Sequence, residues 1–165
     1  DNEWAKSTIT VADGKYSWDI ATHKLEITWG LAKTRSLGDF VMSVDAKQIG
    51  GPDTAEYGLI FREDSSFHGY YFGITNKGEY FLYLYTDEWN TLIDYTASGL
   101  ILPNEYNRLM VIAEGSHFTF YINDQYLTEY TDESMENGNV GLFCLLYKPN
   151  QQATFEFDNF ELRAP

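Results

Sequence analysis

Cysteine is nearly absent from this 165-residue chain: Cys144 is the only one, which excludes an internal disulfide. It lies in the apolar run 140–147, Val-Gly-Leu-Phe-Cys-Leu-Leu-Tyr, where a thiol behaves as a small hydrophobe and not as a reactive nucleophile. No apolar stretch is long enough to span a bilayer and no secretory leader is visible, which argues against direct membrane insertion. Basic residues are scarce, 11 against 25 acidic ones, giving a net charge of −14. Such a surface repels phosphate backbones and anionic lipid headgroups, so nucleic acid is excluded as a partner while cations and neutral ligands are not. Helical periodicity is missing throughout; the one short candidate, Asp132 to Glu136, is polar and reads as a loop. His23, His68 and His117 sit in separate segments without zinc-ligand spacing, although strand pairing could unite some of them. There is no phosphate loop, dinucleotide fingerprint or Gly-x-Ser-x-Gly elbow. With no linker, low-complexity tract or repeat, residues 1–165 read as one domain. The chain opens on Asp1 and not on Met, which predicts a processed product or a piece of a longer protein, with any anchor outside it.

What is present is strand. Hydrophobic residues make up 44% and aromatics 17%, enough for a two-layer core and too much for disorder. Leu25 to Trp29 alternates apolar and polar residues, as a half-buried strand does. So do Phe40 to Ile49, Tyr57 to Glu63, Tyr70 to Thr75, Glu79 to Tyr85, Leu109 to Ala113, Phe118 to Ile122 and Ala153 to Phe157. Turns rich in Asn, Asp and Gly separate them, as at Asn76-Lys77-Gly78 and Asn123-Asp124, where positive φ is tolerated. Short strands punctuated in this way predict an antiparallel sandwich or barrel.

Several segments carry a family resemblance. Tyr57-Gly58-Leu59-Ile60-Phe61-Arg62 is followed by Tyr70-Tyr71-Phe72-Gly73-Ile74. Arg108 to Gly115 then precedes Phe118 to Asp124, Gly138 to Phe143 and the closing run Phe155 to Leu162. In this order they resemble the concanavalin A-like lectin/glucanase superfamily, most of all its laminin G-like and DUF1080-type domains from bacterial lipoproteins and kinase ectodomains. The resemblance implies an all-β fold, two antiparallel sheets in a jelly-roll sandwich, one concave and one convex. It also implies an extracellular or cell-surface setting, as in bacterial secreted or lipoprotein-like proteins. The same fold hosts lectins, glycosidases and adhesive modules, so it implies much less about function.

Alternation divides the strands into two faces. Leu59, Phe61, Tyr70, Phe72, Ile74, Leu82 and Leu84, with Leu109, Val111, Ala113, Phe118, Phe120 and Ile122, form the predicted core. The opposite set is unusually aromatic for a solvent face: Arg62, Tyr71, Tyr83, Tyr85 and Tyr121 fall on it, with Gly58 and Gly73 leaving room above the backbone. Trp89 is expected in a rim loop beyond. Tyrosine walls and glycine floors suit a sugar, because pyranose C–H faces stack on rings while hydroxyls bond Tyr and Arg. The expectation is therefore a non-catalytic carbohydrate-binding module that binds its partner, a glycan or polysaccharide, on the concave sheet. The same surface would also suit a protein partner or another domain of a parent chain, as in a sensory ectodomain.

Catalysis has one motif to consider. Glu156-Phe157-Asp158-Asn159-Phe160-Glu161 matches the Glu-x-Asp-x-x-Glu spacing of glycoside hydrolase family 16, whose glutamates act as nucleophile and acid/base. It falls too close to the chain end for that family, and resembles instead a closing strand with a Phe-Asp-Asn bend. A glycosidase-like or 3-keto-sugar hydrolase activity is the minority expectation, with no catalytic residue assigned. The superfamily also implies a structural Ca²⁺ near the terminal strands, with Asp158 as the candidate ligand and Asp13 or Glu3 as neighbours; an Asp that only caps a bend is the equal alternative.

Overall fold

The computed structural model describes residues 5–23, 27–31 and 36–165. Thirteen strands are formed among them and no helix: β1 (Ala5–Ala12), β2 (Lys15–Thr22), β3 (Ile27–Leu31), β4 (Phe40–Gly50), β5 (Glu56–Glu63), β6 (Gly69–Thr75), β7 (Glu79–Thr86), β8 (Glu88–Ala97), β9 (Asn107–Glu114), β10 (His117–Ile122), β11 (Gln125–Thr131), β12 (Asn139–Leu146) and β13 (Gln152–Arg163). They make two antiparallel sheets. One has seven strands in the order β1-β2-β13-β4-β9-β10-β11, the other six in the order β3-β12-β5-β6-β7-β8. This is the jelly-roll sandwich expected. Residues 132–137 form a loop, while Leu25 and Glu26 of the expected first strand lie outside the described residues.

The core sits between the sheets and contains every side chain that alternation assigns to it, from Leu59 and Phe61 through Phe120 and Ile122. Period-2 burial is clearest on β9 and β10, where each second side chain is buried. Rings do much of the filling. Phe61 stacks on Tyr70 at 5.0 Å and meets Phe118 edge-on at 5.1 Å, and Phe72 lies 4.6 Å from Phe120. Cys144 is fully buried and burial pushes its thiol pKa well up, so it is packing material.

The other face of the alternation is not one surface but two. β5, β6 and β7 belong to the six-stranded sheet and β9 and β10 to the seven-stranded one. Their non-core residues therefore point out of opposite sides of the sandwich. Tyr121, with Arg108, Met110, Ile112 and Thr119, falls on the outside of the seven-stranded sheet, where Tyr121 meets Tyr126 at 6.0 Å. Its grouping with Tyr71 and Tyr83 is corrected: identical periodicity cannot tell two sheets apart.

Arg62 is the second correction. Alternation places it on the outer face with Ile60, but its φ is +54° and the β5–β12 register slips between Asn139 and Gly141. The bulge turns the side chain inward, into the end of the sandwich. There the guanidinium donates to Met135 O at 2.8 Å, Gly38 O at 2.9 Å and Gly115 O, and lies 5.0 Å from the Phe118 ring centroid. Gly138 permits this, since a Cβ there would come within 2.3 Å of the Arg62 carbonyl carbon. Arg62 is 1% exposed and joins three loops; it is no part of the face that carries Tyr71 and Tyr83.

Candidate functional site

The outer face of the six-stranded sheet carries a second apolar cluster. Ile60, Tyr71, Phe81, Phe143 and Leu145 are buried there, with Tyr83, Tyr85 and Tyr147 packed against them. Four of the six ligand-binding candidates, Tyr71, Tyr83, Tyr85 and Trp89, come together on this face; Arg62 and Tyr121 do not. Trp89 is not in a rim loop. Asp87 takes φ +65°, the chain reverses tightly, and Trp89 re-enters the ladder on edge strand β8 opposite Tyr85. Its ring stands edge-on to Tyr71 at 4.9 Å and to Tyr83 at 6.0 Å, and lies tilted 4.9 Å from Tyr85. Trp89 is 43% exposed, so the indole offers solvent a fixed apolar surface held by three tyrosines.

The glycine floor is occupied. Gly58 and Gly73 are cross-strand partners, and a Cβ on Gly73 would meet Phe81 Cζ at 2.5 Å and Phe143 Cζ at 2.7 Å. The room Gly73 leaves is filled by rings of the same face, which explains why Phe81 is buried on the outside of a sheet. Gly58 is required for another reason, because its Cβ would lie 2.2 Å from Phe72 O on the neighbouring strand.

Three further residues, not foreseen from the sequence, form the polar end of the face. Glu56 opens β5 on the same side as Gly58 and Ile60 and is completely buried. The Tyr147 hydroxyl donates to its Oε1 at 2.5 Å, and the Tyr95 hydroxyl donates to the same oxygen. Tyr95 also stands 6.4 Å from Tyr83 and 5.6 Å from Phe81. Burial is the main reason the phenols of Tyr83, Tyr95 and Tyr147 have raised pKa values, with Glu56 adding to the rise in each. They are hydrogen-bond donors at neutral pH. At the opposite end, His68 bridges two loops, Nδ1 facing Asp64 Oδ2 at 3.1 Å and Nε2 facing Asp87 Oδ1 at 3.1 Å. The hydrogen bond to Asp87 is the main cause of its raised pKa. Glu56 falls just before the expected strand Tyr57 to Glu63, and Tyr95 lies in a strand too polar to stand out; the alternation Phe143, Leu145, Tyr147 was the available signal.

The other candidates lie elsewhere. Phe155 and Phe157 of β13 are core, so Glu156 and Asp158 face out of the seven-stranded sheet. Glu156 accepts from the Tyr106 hydroxyl and lies 3.8 Å from Lys15, while Glu161 pairs with Arg163 at 3.1 Å and Arg108 at 3.6 Å. Both glutamates are tied to cations on a face remote from the tyrosines. Asp158 accepts the backbone N–H of Asn159 at 2.7 Å, the bend-capping geometry. Its cross-strand partner Asp45 is engaged by Arg108 at 3.4 Å and by the Asn159 amide at 2.7 Å. Asp158 supplies one carboxylate where Ca²⁺ takes several oxygen ligands, and Asp45 beside it is already held by Arg108 and Asn159. Among the described residues no group of three or more His, Cys, Asp or Glu is placed to hold a metal ion; Glu3 lies outside them.

The fold is that of a jelly-roll sandwich domain, and known structures share that architecture. The carbohydrate-binding module CBM66 from Bacillus subtilis superposes with a TM-score of 0.69 at 18% identity, covering 98% of this chain and 96% of that one. A family 16 glycoside hydrolase from a Bacteroides ovatus mixed-linkage glucan locus, solved with a G4G4G3G product, gives 0.60 at 9% identity, covering 95% and 85%. Sheep galectin-11 gives 0.56 at 10% identity, covering 86% and 98%. Such identities speak to fold alone. Sequence then fixes the family: the chain belongs to the 3-keto-alpha-glucoside-1,2-lyase-like domains, whose profile matches residues 1–163. None of the curated proteins matches it in sequence.

Proposed function

We propose that this domain binds a neutral glycan on the outer face of the six-stranded sheet, without catalysing its breakdown. One observation carries the reading: Trp89 stands 43% exposed and braced by Tyr71, Tyr83 and Tyr85. A ring immobilised in this way loses little entropy when a pyranose stacks on it. Tyr95 and Tyr147 give their O–H protons to Glu56, which holds both rings in place and leaves the phenol oxygens as acceptors for sugar hydroxyls. The net charge of −14 and the inward turn of Arg62 favour a neutral ligand over an acidic one.

The family description favours a second reading, an enzyme acting on 3-keto glucosides. Such chemistry needs a base to remove a proton from the sugar. The raised phenols here donate, Glu56 is buried beneath them, and His68 is held between two carboxylates, all of which supports binding over turnover. Affinity electrophoresis against mixed-linkage β-glucan, xylan, mannan, galactan and fructan tests the proposal. Retardation by at least one of these, abolished by Trp89→Ala and kept by Tyr121→Ala, is the expected result. Release of product from a 3-keto disaccharide would favour the enzyme instead.

A further inference from the structure

The loop between β5 and β6 carries a feature that folding alone does not explain. Phe67 is 68% exposed and adopts φ +67°, the left-handed region that bulky side chains avoid and glycine enters freely. Both features oppose stability. The loop shape is set without the Phe67 ring: Asp64 Oδ1 accepts the N–H groups of Ser66 at 2.7 Å and His68 at 3.1 Å, and Asp64 N–H donates to His68 O at 2.9 Å. The ring belongs to neither apolar cluster. A strained, exposed aromatic held on a braced loop is a feature whose use lies outside the fold.

Its position shows what that use is. The Tyr71 hydroxyl donates to Phe67 O at 3.2 Å, and the Tyr71 ring is the one standing 4.9 Å from Trp89. The next residue, His68, reaches Asp87 at 3.1 Å in the hairpin that delivers Trp89, and its ring lies 6.0 Å from Tyr85. The loop is thus fastened at two points to the rim of the aromatic face, on the Trp89 side. We infer that Phe67 is a ligand-contact residue, a second exposed platform on which the glycan bound at Trp89 stacks a further sugar ring. The inference rests on the glycan-binding reading of this face. It adds that the ligand is an oligosaccharide chain engaging two aromatic subsites and not a single terminal sugar.

Phe67→Gly separates the ring's function from its effect on folding, because glycine relieves the positive φ as the ring is removed. The melting temperature is expected to hold or rise, while affinity for the retarding polysaccharide falls about five- to tenfold in the gel assay with the five polysaccharides named above. Phe67→Tyr restores the ring and is expected to retain binding. A soluble length series of the same polymer, from monosaccharide to hexasaccharide, should lose its chain-length gain in Phe67→Gly. If Trp89→Ala abolishes retardation and Phe67→Gly binds like the parent, the Phe67 inference is overturned and the face reading stands. If neither substitution changes retardation, or none of the five polysaccharides retards the parent, both are overturned. A melting temperature that falls sharply in Phe67→Gly would show a folding role and also overturn the inference.

Discussion

Removing Arg62 should cost much stability and no binding specificity. The guanidinium donates three hydrogen bonds to carbonyls of loops from both sheets and covers the Phe118 ring. A hydrogen bond from a charged donor is worth about 1.5–3 kcal/mol. The adjoining cavity of about 450 Å³, lined by Asp39, Ser116 and Glu136, lets water reach some of the stranded carbonyls. Arg62→Ala should therefore lose about 4 kcal/mol, well under the sum of three bonds but a large share of a stability of about 5–15 kcal/mol. With a urea slope of about 2 kcal/mol/M, the unfolding midpoint falls by about 2 M. Arg62→Gly sharpens the test. It loses the same bonds but relieves the strain at φ +54°, worth about 1–2 kcal/mol, so it should be more stable than Arg62→Ala. In an ordinary strand glycine is the less stable of the two. Paired urea titrations at 25 °C decide it. An alanine variant within 1 kcal/mol of the parent, or a glycine variant below it, would refute the inward turn of Arg62.

Four other outcomes are expected. Phe72→Ala should cost about 3–5 kcal/mol of folding stability in the same titration, with glycan binding affected only through unfolding. Gly73→Ala should cost about 1–3 kcal/mol and also weaken glycan binding, because its methyl displaces the Phe81 and Phe143 rings. The His68 pKa is raised above its ordinary 6.5 by Asp87 and Asp64, so the stabilisation from the His68 bridge between them is full below pH 6.5 and lost as pH rises through the folded value. Melting temperatures of the parent and Asp87→Asn should accordingly differ at pH 5.5 and converge at high pH. Because Asp158 and Asp45 are committed to Asn159 and Arg108, chelator should leave the melting temperature unchanged within about 1 °C.

The core was legible because period-2 alternation is a local signal, and β6, β7, β9 and β10 carry it along their length. The face was legible only in part. Tyr71, Tyr83 and Tyr85 could be read because β6 and β7 are adjacent in sequence and in space. Tyr121 could not be separated from them, since membership of a sheet is fixed by pairing between distant segments and leaves no mark on the alternation. Arg62 was misplaced by a backbone bulge whose cause, the close passage of Gly138, lies far along the chain. Glu56 and Tyr95 were missed because a carboxyl group just before an expected strand gives no sign of burial until the hydroxyls that bury it are brought over it from β8 and the segment after β12. Edge strands β1, β8 and β11 carry polar residues on both faces in places, which weakened their pattern.

The most direct test is an amide chemical-shift titration of the isotope-labelled domain with an oligosaccharide of the polymer that retards it. The account predicts the largest shifts in 69–75, 81–89 and the Trp89 indole N–H, with Phe67 among them. Shifts concentrated instead on Arg108, Met110 and Tyr121 of the seven-stranded sheet, or around the Arg62 cavity, would contradict it.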